Sequence, residues 1–349
     1  MLLKSKKNLK INNKISKKNN TKYNKFTIIG GNKPLIFVQH NIGHIEYNIK
    51  KNLYYNSYLI KHKKHSSYPL RDFVYYYYLN KCINKSADIF FLQEVQYGDT
   101  SFMNEDYQYY INYTVTGHID YCDETETEES IQRISHGCIL GINQNRFNII
   151  DGLKKSTVNI RNSKNKKYRT SDFLIIKDKV TNKLYCVLTL HGPICDMSNN
   201  DKLSSYYKFY KDIIQGIEKI VQKYKNKINF IITGDFNINL FNPNFNPFNN
   251  KIQNEDSIKN ILKNIIKDFI TILNKNNIEI VNYNEQTAFG KDFKERLDFI
   301  LLSNKLLKNY NMETRKYYKK NKSTTNYNIG DLDFLFNDFD HTKLIGYLN

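Results

Sequence analysis

Gly234-Asp235-Phe236-Asn237 sets a carboxylate and an amide two residues apart, directly after the apolar run Asn229-Phe230-Ile231-Ile232-Thr233. The ends of buried strands are where open α/β sheets keep their chemistry. On an extended backbone alternate side chains share a side, so Asp235 can handle a water's proton while Asn237 positions that water. Taken alone, the same four residues also describe an ordinary turn.

Other polar groups stand at or beside the ends of apolar runs: Asn41 in Gln39-His40-Asn41-Ile42, Glu94 in Phe91-Leu92-Gln93-Glu94-Val95, and His191 in Leu188-Thr189-Leu190-His191-Gly192-Pro193. Asp298 sits in Arg296-Leu297-Asp298-Phe299-Ile300, and Asp340-His341 precedes Thr342-Lys343-Leu344. Each has a plainer reading by itself. Glu94 could be a lone edge residue, His191 a satisfied core histidine, Asp298 a partner for Arg296 or a lysine, and Asp340-His341 a turn. Together they are costly to bury unless they meet one another or a metal, so convergence on one cleft is the economical expectation.

The elements that must position these residues are short apolar segments alternating with longer helical patterns. Strands are predicted over 36–42, 88–95, 137–142, 173–177, 184–191, 229–233, 279–283, 297–302 and 344–348. Helices are predicted from Pro69 through Ile83, over 201–225 and over 256–274. In the last, Ile258, Ile261, Leu262, Ile265, Ile266, Phe269 and Ile272 form one broad apolar face. The acidic stretch 120–129 lacks the glycine and ligand spacing of a calcium loop and reads as a solvated loop. No internal repeat interrupts the pattern, which suggests two packed sheets with helices outside.

With 349 residues the chain can bury a sizeable core, and its net charge of +19 points to a polyanionic partner such as nucleic acid or an anionic membrane surface. The excess of Lys, Asn, Ile, Tyr and Phe is also what an AT-rich coding sequence imposes, which discounts the charge. Five cysteines without a CxxC pair suggest free thiols in a reducing compartment. Residues 1–30 read as a disordered basic tail, either a nucleic-acid or nuclear-import arm or a solvated extension, leaving 31–349 as one domain. With no bilayer-length apolar run and no signal-peptide pattern, the expectation is an intracellular protein, cytoplasmic or nuclear, and a monomer.

In order and flanks, the polar set resembles the endonuclease/exonuclease/phosphatase superfamily, the DNase I-like hydrolases. The resemblance covers roughly residues 35 to 349. Its hallmarks are an Asn ending the first strand (Asn41), a Gln-Glu pair (Gln93-Glu94), Gly-Asp-x-Asn (Gly234 to Asn237) and Arg-(Ile/Leu)-Asp-(Tyr/Phe) (Arg296 to Phe299). The fifth, Ser-Asp-His, is matched by Asp340-His341 with Phe339 replacing the Ser. The long stretch 317–339 before that pair is a further departure.

The resemblance implies a four-layer α/β/β/α sandwich of two packed mixed sheets and Mg²⁺-dependent phosphoester hydrolysis, with Mn²⁺ able to substitute. It makes Glu94 the main metal ligand, with Asn41 and Asp340 close to the ion or its waters. Asp235 aligns and deprotonates the attacking water, helped by Asn237. His341, held by Asp298, sits on the scissile phosphate and stabilises its developing charge. His191, in Leu-His-Gly-Pro-x-x-Asp ending at Asp196, looks like the DNase I branch, where a second histidine contacts the phosphate and can protonate the leaving oxygen.

The function expected is therefore a Mg²⁺-dependent nuclease on DNA, with RNA possible as substrate. Lysines and the tyrosine-rich segments 75–78 and 107–113 suit phosphate contact and base stacking, though such tyrosines are equally core residues. Lys164, Lys166, Lys167 and Arg169 are either phosphate contacts or a solvated turn. The alternatives are a phosphatase or phosphodiesterase on inositol phosphates, phospholipid headgroups or a 5′-tyrosyl-DNA adduct, and a binding protein that has kept the fold without the chemistry.

Overall fold

The computed structural model describes residues 33–41, 87–96, 106–115, 135–152, 169–170, 173–192, 200–242, 255–283, 287–289, 294–315, 341 and 343–349. In chain order the strands are β1 (Leu35–Asn41), β2 (Ile89–Gln96), β3 (Tyr107–Val115), β4 (Ser135–Asn143), β5 (Phe147–Gly152), β6 (Arg169–Thr170), β7 (Leu174–Asp178), β8 (Leu184–His191) and β9 (Ile228–Asp235). They continue as β10 (Ile278–Ile280), β11 (Ala288–Phe289), β12 (Lys294–Glu295), β13 (Asp298–Ser303), β14 (Tyr310–Arg315) and β15 (Lys343–Leu348). Helix α1 (Asn200–Tyr224) precedes β9, α2 (Glu255–Lys275) follows it, and the single turn α3 (Asn304–Leu307) follows β13.

Two mixed sheets result: a six-stranded one in the order β14-β15-β1-β2-β4-β3, and a seven-stranded one in the order β10-β13-β9-β8-β7-β5 with β6 beside β8. β1 runs parallel to β2, and β8 parallel to β9. Those parallel pairs read in sequence as near-continuous apolar runs because both faces are covered. The inner faces interlock through Phe37, Phe91, Leu140, Val187, Ile231 and Ile300. On the outer face of the seven-stranded sheet, Leu188, Phe230, Ile232 and Phe299 pack against α1 and α2. Each such large apolar side chain contributes on the order of 1.5–3 kcal/mol on burial.

The helices follow their apolar period. α1 buries Phe209, Tyr210, Ile213, Ile217 and Ile220, and α2 buries Leu262, Ile265, Ile266, Phe269 and Leu273. Ile261, expected on the buried face of α2, is 43% exposed instead, and Leu273 takes the place expected of Ile272. A 3.6-residue period carries the stripe past Ile261 and onto Leu273. The fold is an α/β sandwich of two packed mixed sheets. The helix expected over 69–83, which would cover the other outer face, lies outside the described residues, as do the acidic stretch 120–129 and the basic tail.

A buried ionic tie closes one end of the sandwich. Arg146, between β4 and β5, donates from Nη1 to Asp88 Oδ2 at 2.7 Å and to Pro34 O at 2.8 Å, and from Nη2 to Asp178 Oδ2 at 3.1 Å. It links the start of β2 to the end of β7, one strand from each sheet.

The tyrosine-rich segment 107–113 is strand β3. Tyr107 is buried, its hydroxyl donating to Ala87 O at 2.5 Å, and its ring packs at a tilt against Phe90 and Tyr109. Tyr107 is thus a packing residue, the core alternative among the two readings that the sequence allowed. Cys138 and Cys186 are buried free thiols. Among the described residues no helix is long and apolar enough to cross a membrane.

Candidate functional site

Alternation along the inner faces decides what meets at the other end of the sandwich. Strand β1 presents Leu35, Phe37, Gln39 and Asn41 on one face; β2 presents Ile89, Phe91 and Gln93; β8 presents Tyr185, Val187, Thr189 and His191. On each strand the apolar residues come first and the polar ones last, so the core grades into a buried polar layer toward the strands' carboxyl ends. Register aligns the ends. Asn41 stands opposite Gln93, His191 opposite Asp235, and Asp235 opposite Asp298, so β8, β9 and β13 bring an imidazole and two carboxylates into one row.

Beneath that row lies a hydrogen-bonded floor. Gln39 Nε2 donates to Asp298 Oδ1 at 2.6 Å and to Gln93 Oε1 at 2.9 Å, while Gln93 Nε2 donates to Thr189 Oγ1 at 2.7 Å. All of these side chains are fully buried. The chain of amides ties β1 and β2 of one sheet to β8 and β13 of the other, leaving Gln39 Oε1 as its one buried atom without a hydrogen-bond partner among the described residues.

Asp298 is engaged on every side. Its Oδ2 receives His341 Nδ1 at 2.8 Å, its backbone N donates to Thr287 Oγ1 at 3.0 Å, and its carbonyl receives the Tyr283 hydroxyl. Arg296 does not pair with it. With Nδ1–H of His341 donated to Asp298, Nε2 is the nitrogen left to face the cleft, a tautomer assigned from this network. That Nε2 lies 3.8 Å from Asp235 Oδ2 and 3.5 Å from Asn41 Nδ2.

Asp235 is 1% exposed and stands between both histidines, its Oδ2 lying 3.8 Å from His191 Nε2 and accepting from Asn41 Nδ2 at 2.9 Å. Burial, and secondarily the neighbouring Asp298, push its carboxyl up to about 6; His341, His191 and the Asn237 backbone N–H pull the other way. His40, on the opposite face of β1, is buried with Nε2 on His341 O at 3.2 Å. Burial, with Lys343 beside it, holds His40 well below the usual imidazole range.

Asn237 departs from expectation. β9 ends at Asp235, and Asn237 has a positive φ of 53°, so the two side chains are not related by an extended backbone. Its backbone N donates to Asp235 Oδ1 at 2.7 Å, and its Nδ2 donates to Gly192 O at 2.9 Å. The tetrapeptide is therefore both a turn and part of the cleft: the turn aims Asp235 and locks β9 to the end of β8. Gly234 permits the crossing, since a Cβ there would stand 1.9 Å from Leu190 O.

Asn41, His191, Asp235, Asn237, Asp298 and His341 thus meet. Glu94 lies in β2 at a register shift between Leu92 and Val95, the kind of bulge that re-aims a side chain beside a site; its side chain and all of Asp340 lie outside the described residues. Among the described residues no group of three or more His, Cys, Asp or Glu side chains is placed to hold a metal ion. Sequence reasoning passed over Gln39, Thr189 and Thr287. The first two were signalled by their place two residues before Asn41 and His191 on the same strand face; nothing local marked Thr287.

No protein-family model matches the sequence, and no curated protein is similar to it in sequence. Solved structures of similar fold include the endonuclease domain of TRAS1, a telomere-specific non-LTR retrotransposon (10% identity, 91% of this chain and 99% of that one, TM-score 0.45). The human Nocturnin catalytic domain is another (15% identity, 90% and 93%, TM-score 0.45). A third is an endonuclease/exonuclease/phosphatase from Bacteroides vulgatus (12% identity, 91% and 99%, TM-score 0.48). The likeness is one of fold alone.

Proposed function

We propose that this chain is a Mg²⁺-dependent phosphodiesterase that hydrolyses nucleic-acid phosphodiester bonds, DNA in the first place. The observation that carries the reading is Asp235: a buried carboxylate at a strand end, facing Nε2 of two histidines at 3.8 Å each, one of them held by Asp298. A single buried carboxylate between two imidazoles suits in-line displacement at phosphorus, which needs a proton acceptor for water and cationic donors for the phosphoryl oxygens. The net charge of +19 supports a polyanionic substrate.

In this reading Asp235 accepts a proton from water as the water oxygen bonds to phosphorus. The bond from phosphorus to the leaving oxygen breaks, and that oxygen takes a proton from His191. His341, cationic and oriented by Asp298, donates from Nε2 to a non-bridging oxygen as charge develops. Asn237 acts through the turn, holding Asp235 in place by its backbone N–H.

The donor types fit a hard cation. The cleft offers the Asn41 amide and carboxylate oxygens, and Cys186 lies away from it in the core under α1 and α2; oxygen donors with few carboxylates are the chemistry of Mg²⁺. Glu94, Asn41 and Asp340 would hold the ion, which when bound supplies charge neutralisation at the scissile phosphate. Incubating supercoiled plasmid with the chain in Mg²⁺, in Mn²⁺ and in EDTA tests the reading. Nicking with either metal and none in EDTA is the expected result; an intact plasmid together with phosphate release from an inositol polyphosphate would replace it with a phosphatase.

A further inference from the structure

Phe241 is 47% exposed on the segment that leaves β9, four residues past Asn237. Its position is held from both directions. Asn239 Oδ1 accepts from Phe241 N at 3.0 Å and Asn242 N at 3.1 Å, and Asn239 Nδ2 donates to Glu295 Oε2 at 3.1 Å. The ring packs edge-on to Phe299, centroids 5.8 Å apart. The half of the ring that packs on Phe299 contributes to folding, while the exposed half leaves no water behind and is an apolar face open to a ligand.

Beside it lies Arg296, its guanidinium carbon 5.1 Å from the Phe241 centroid and 4.9 Å from that of Tyr283. Among the described residues Arg296 makes no ion pair, and its Nε has no hydrogen-bond partner. Two rings therefore hold a cation that no described carboxylate pairs with, two residues before Asp298, its Nη1 donating to Asn282 Oδ1 at 3.4 Å. An exposed aromatic face next to a guanidinium is what an unstacked nucleotide requires: a π-face for the base and a cation for the phosphate.

Resting on the nuclease reading above, we infer that Phe241 and Arg296 form a nucleotide-positioning platform at the rim of the cleft, with an unpaired base of a single-stranded segment stacking on Phe241 and its phosphate meeting Arg296. Phe241 is a positioning residue and takes no part in the chemistry.

The test uses the full chain and two labelled oligonucleotides of equal length, one with bases and one built wholly of abasic tetrahydrofuran sites, bound in EDTA. Phe241→Ala is expected to weaken the base-bearing strand about ten- to a hundred-fold and leave the abasic strand unchanged. Phe241→Trp restores binding. In Mg²⁺, Phe241→Ala raises KM and leaves kcat. Equal binding of the base-bearing strand by wild type and Phe241→Ala, or equal loss for both strands, overturns the platform while cleavage by the wild type still upholds the nuclease. A wild type that neither binds nor cleaves either strand overturns both.

Discussion

Asp298 Oδ2 and His341 Nδ1 are 2.8 Å apart across 43 residues of sequence, and this bond fixes which imidazole nitrogen looks into the cleft. Removing the carboxylate without removing its volume tests that role. Asp298→Asn should lower kcat by roughly 10²- to 10⁴-fold, because an amide can present its own N–H to Nδ1 and turn the tautomer around. Its thermal melt should stay cooperative and two-state, since no core volume is lost.

Asp235 makes a pH-dependent contribution with a definite sign. In metal-free buffer its folded-state value of about 6 lies above the 3.8 of an ordinary Asp. Between the two the folded chain holds a proton that the unfolded chain has released, so this group's contribution is present below the lower value and is lost as pH rises through about 6. Asp235→Asn cannot ionise. The melting temperature of the variant minus that of wild type should therefore grow from pH 4 to pH 8 in EDTA, while cleavage in Mg²⁺ falls by orders of magnitude.

His40 contributes in the opposite sense. Buried and held well below 6.5, it stays neutral in the folded chain while the unfolded chain takes up a proton. Stability from this group is complete above 6.5 and is lost as pH falls below it. His40→Gln keeps a donor toward His341 O and cannot titrate. Urea denaturation at pH 5 and pH 7.5 should show a smaller difference for the variant than for wild type.

Arg146 offers a control away from the cleft. Arg146→Met strands the carboxylates of Asp88 and Asp178 inside the sandwich, at a cost of about 3–5 kcal/mol. Changing Asp88 and Asp178 to Asn in the same chain should recover part of that loss in a denaturant titration. Cleavage per folded molecule should match wild type throughout.

Strands that carry the core were legible because burial on both faces leaves a continuous apolar run: 184–191 was read without error, and β1, β2, β9, β13 and β15 to within a residue or two. β3, β5 and β14 were missed. Polar residues interrupt them, as in Tyr107-Gln108-Tyr109-Tyr110-Ile111-Asn112, and edge positions permit this because one side faces water. The site residues were legible as types at strand ends. Their partners were not, since the Gln39–Asp298 and Gln93–Thr189 bonds join residues brought together only by sheet packing. The positive φ of Asn237 was hidden for the opposite reason: Asn tolerates that conformation without any neighbouring glycine to announce it.

Asp235 as the proton acceptor of a metal-dependent phosphodiester hydrolysis is most directly tested by supercoiled plasmid cleavage with wild type and Asp235→Asn, each in Mg²⁺ and in EDTA. Nicking by wild type in Mg²⁺ alone, with the variant slower by at least about 10²-fold at equal DNA binding, is the predicted result. Near-normal nicking by Asp235→Asn, or nicking by wild type that persists in EDTA, would contradict it.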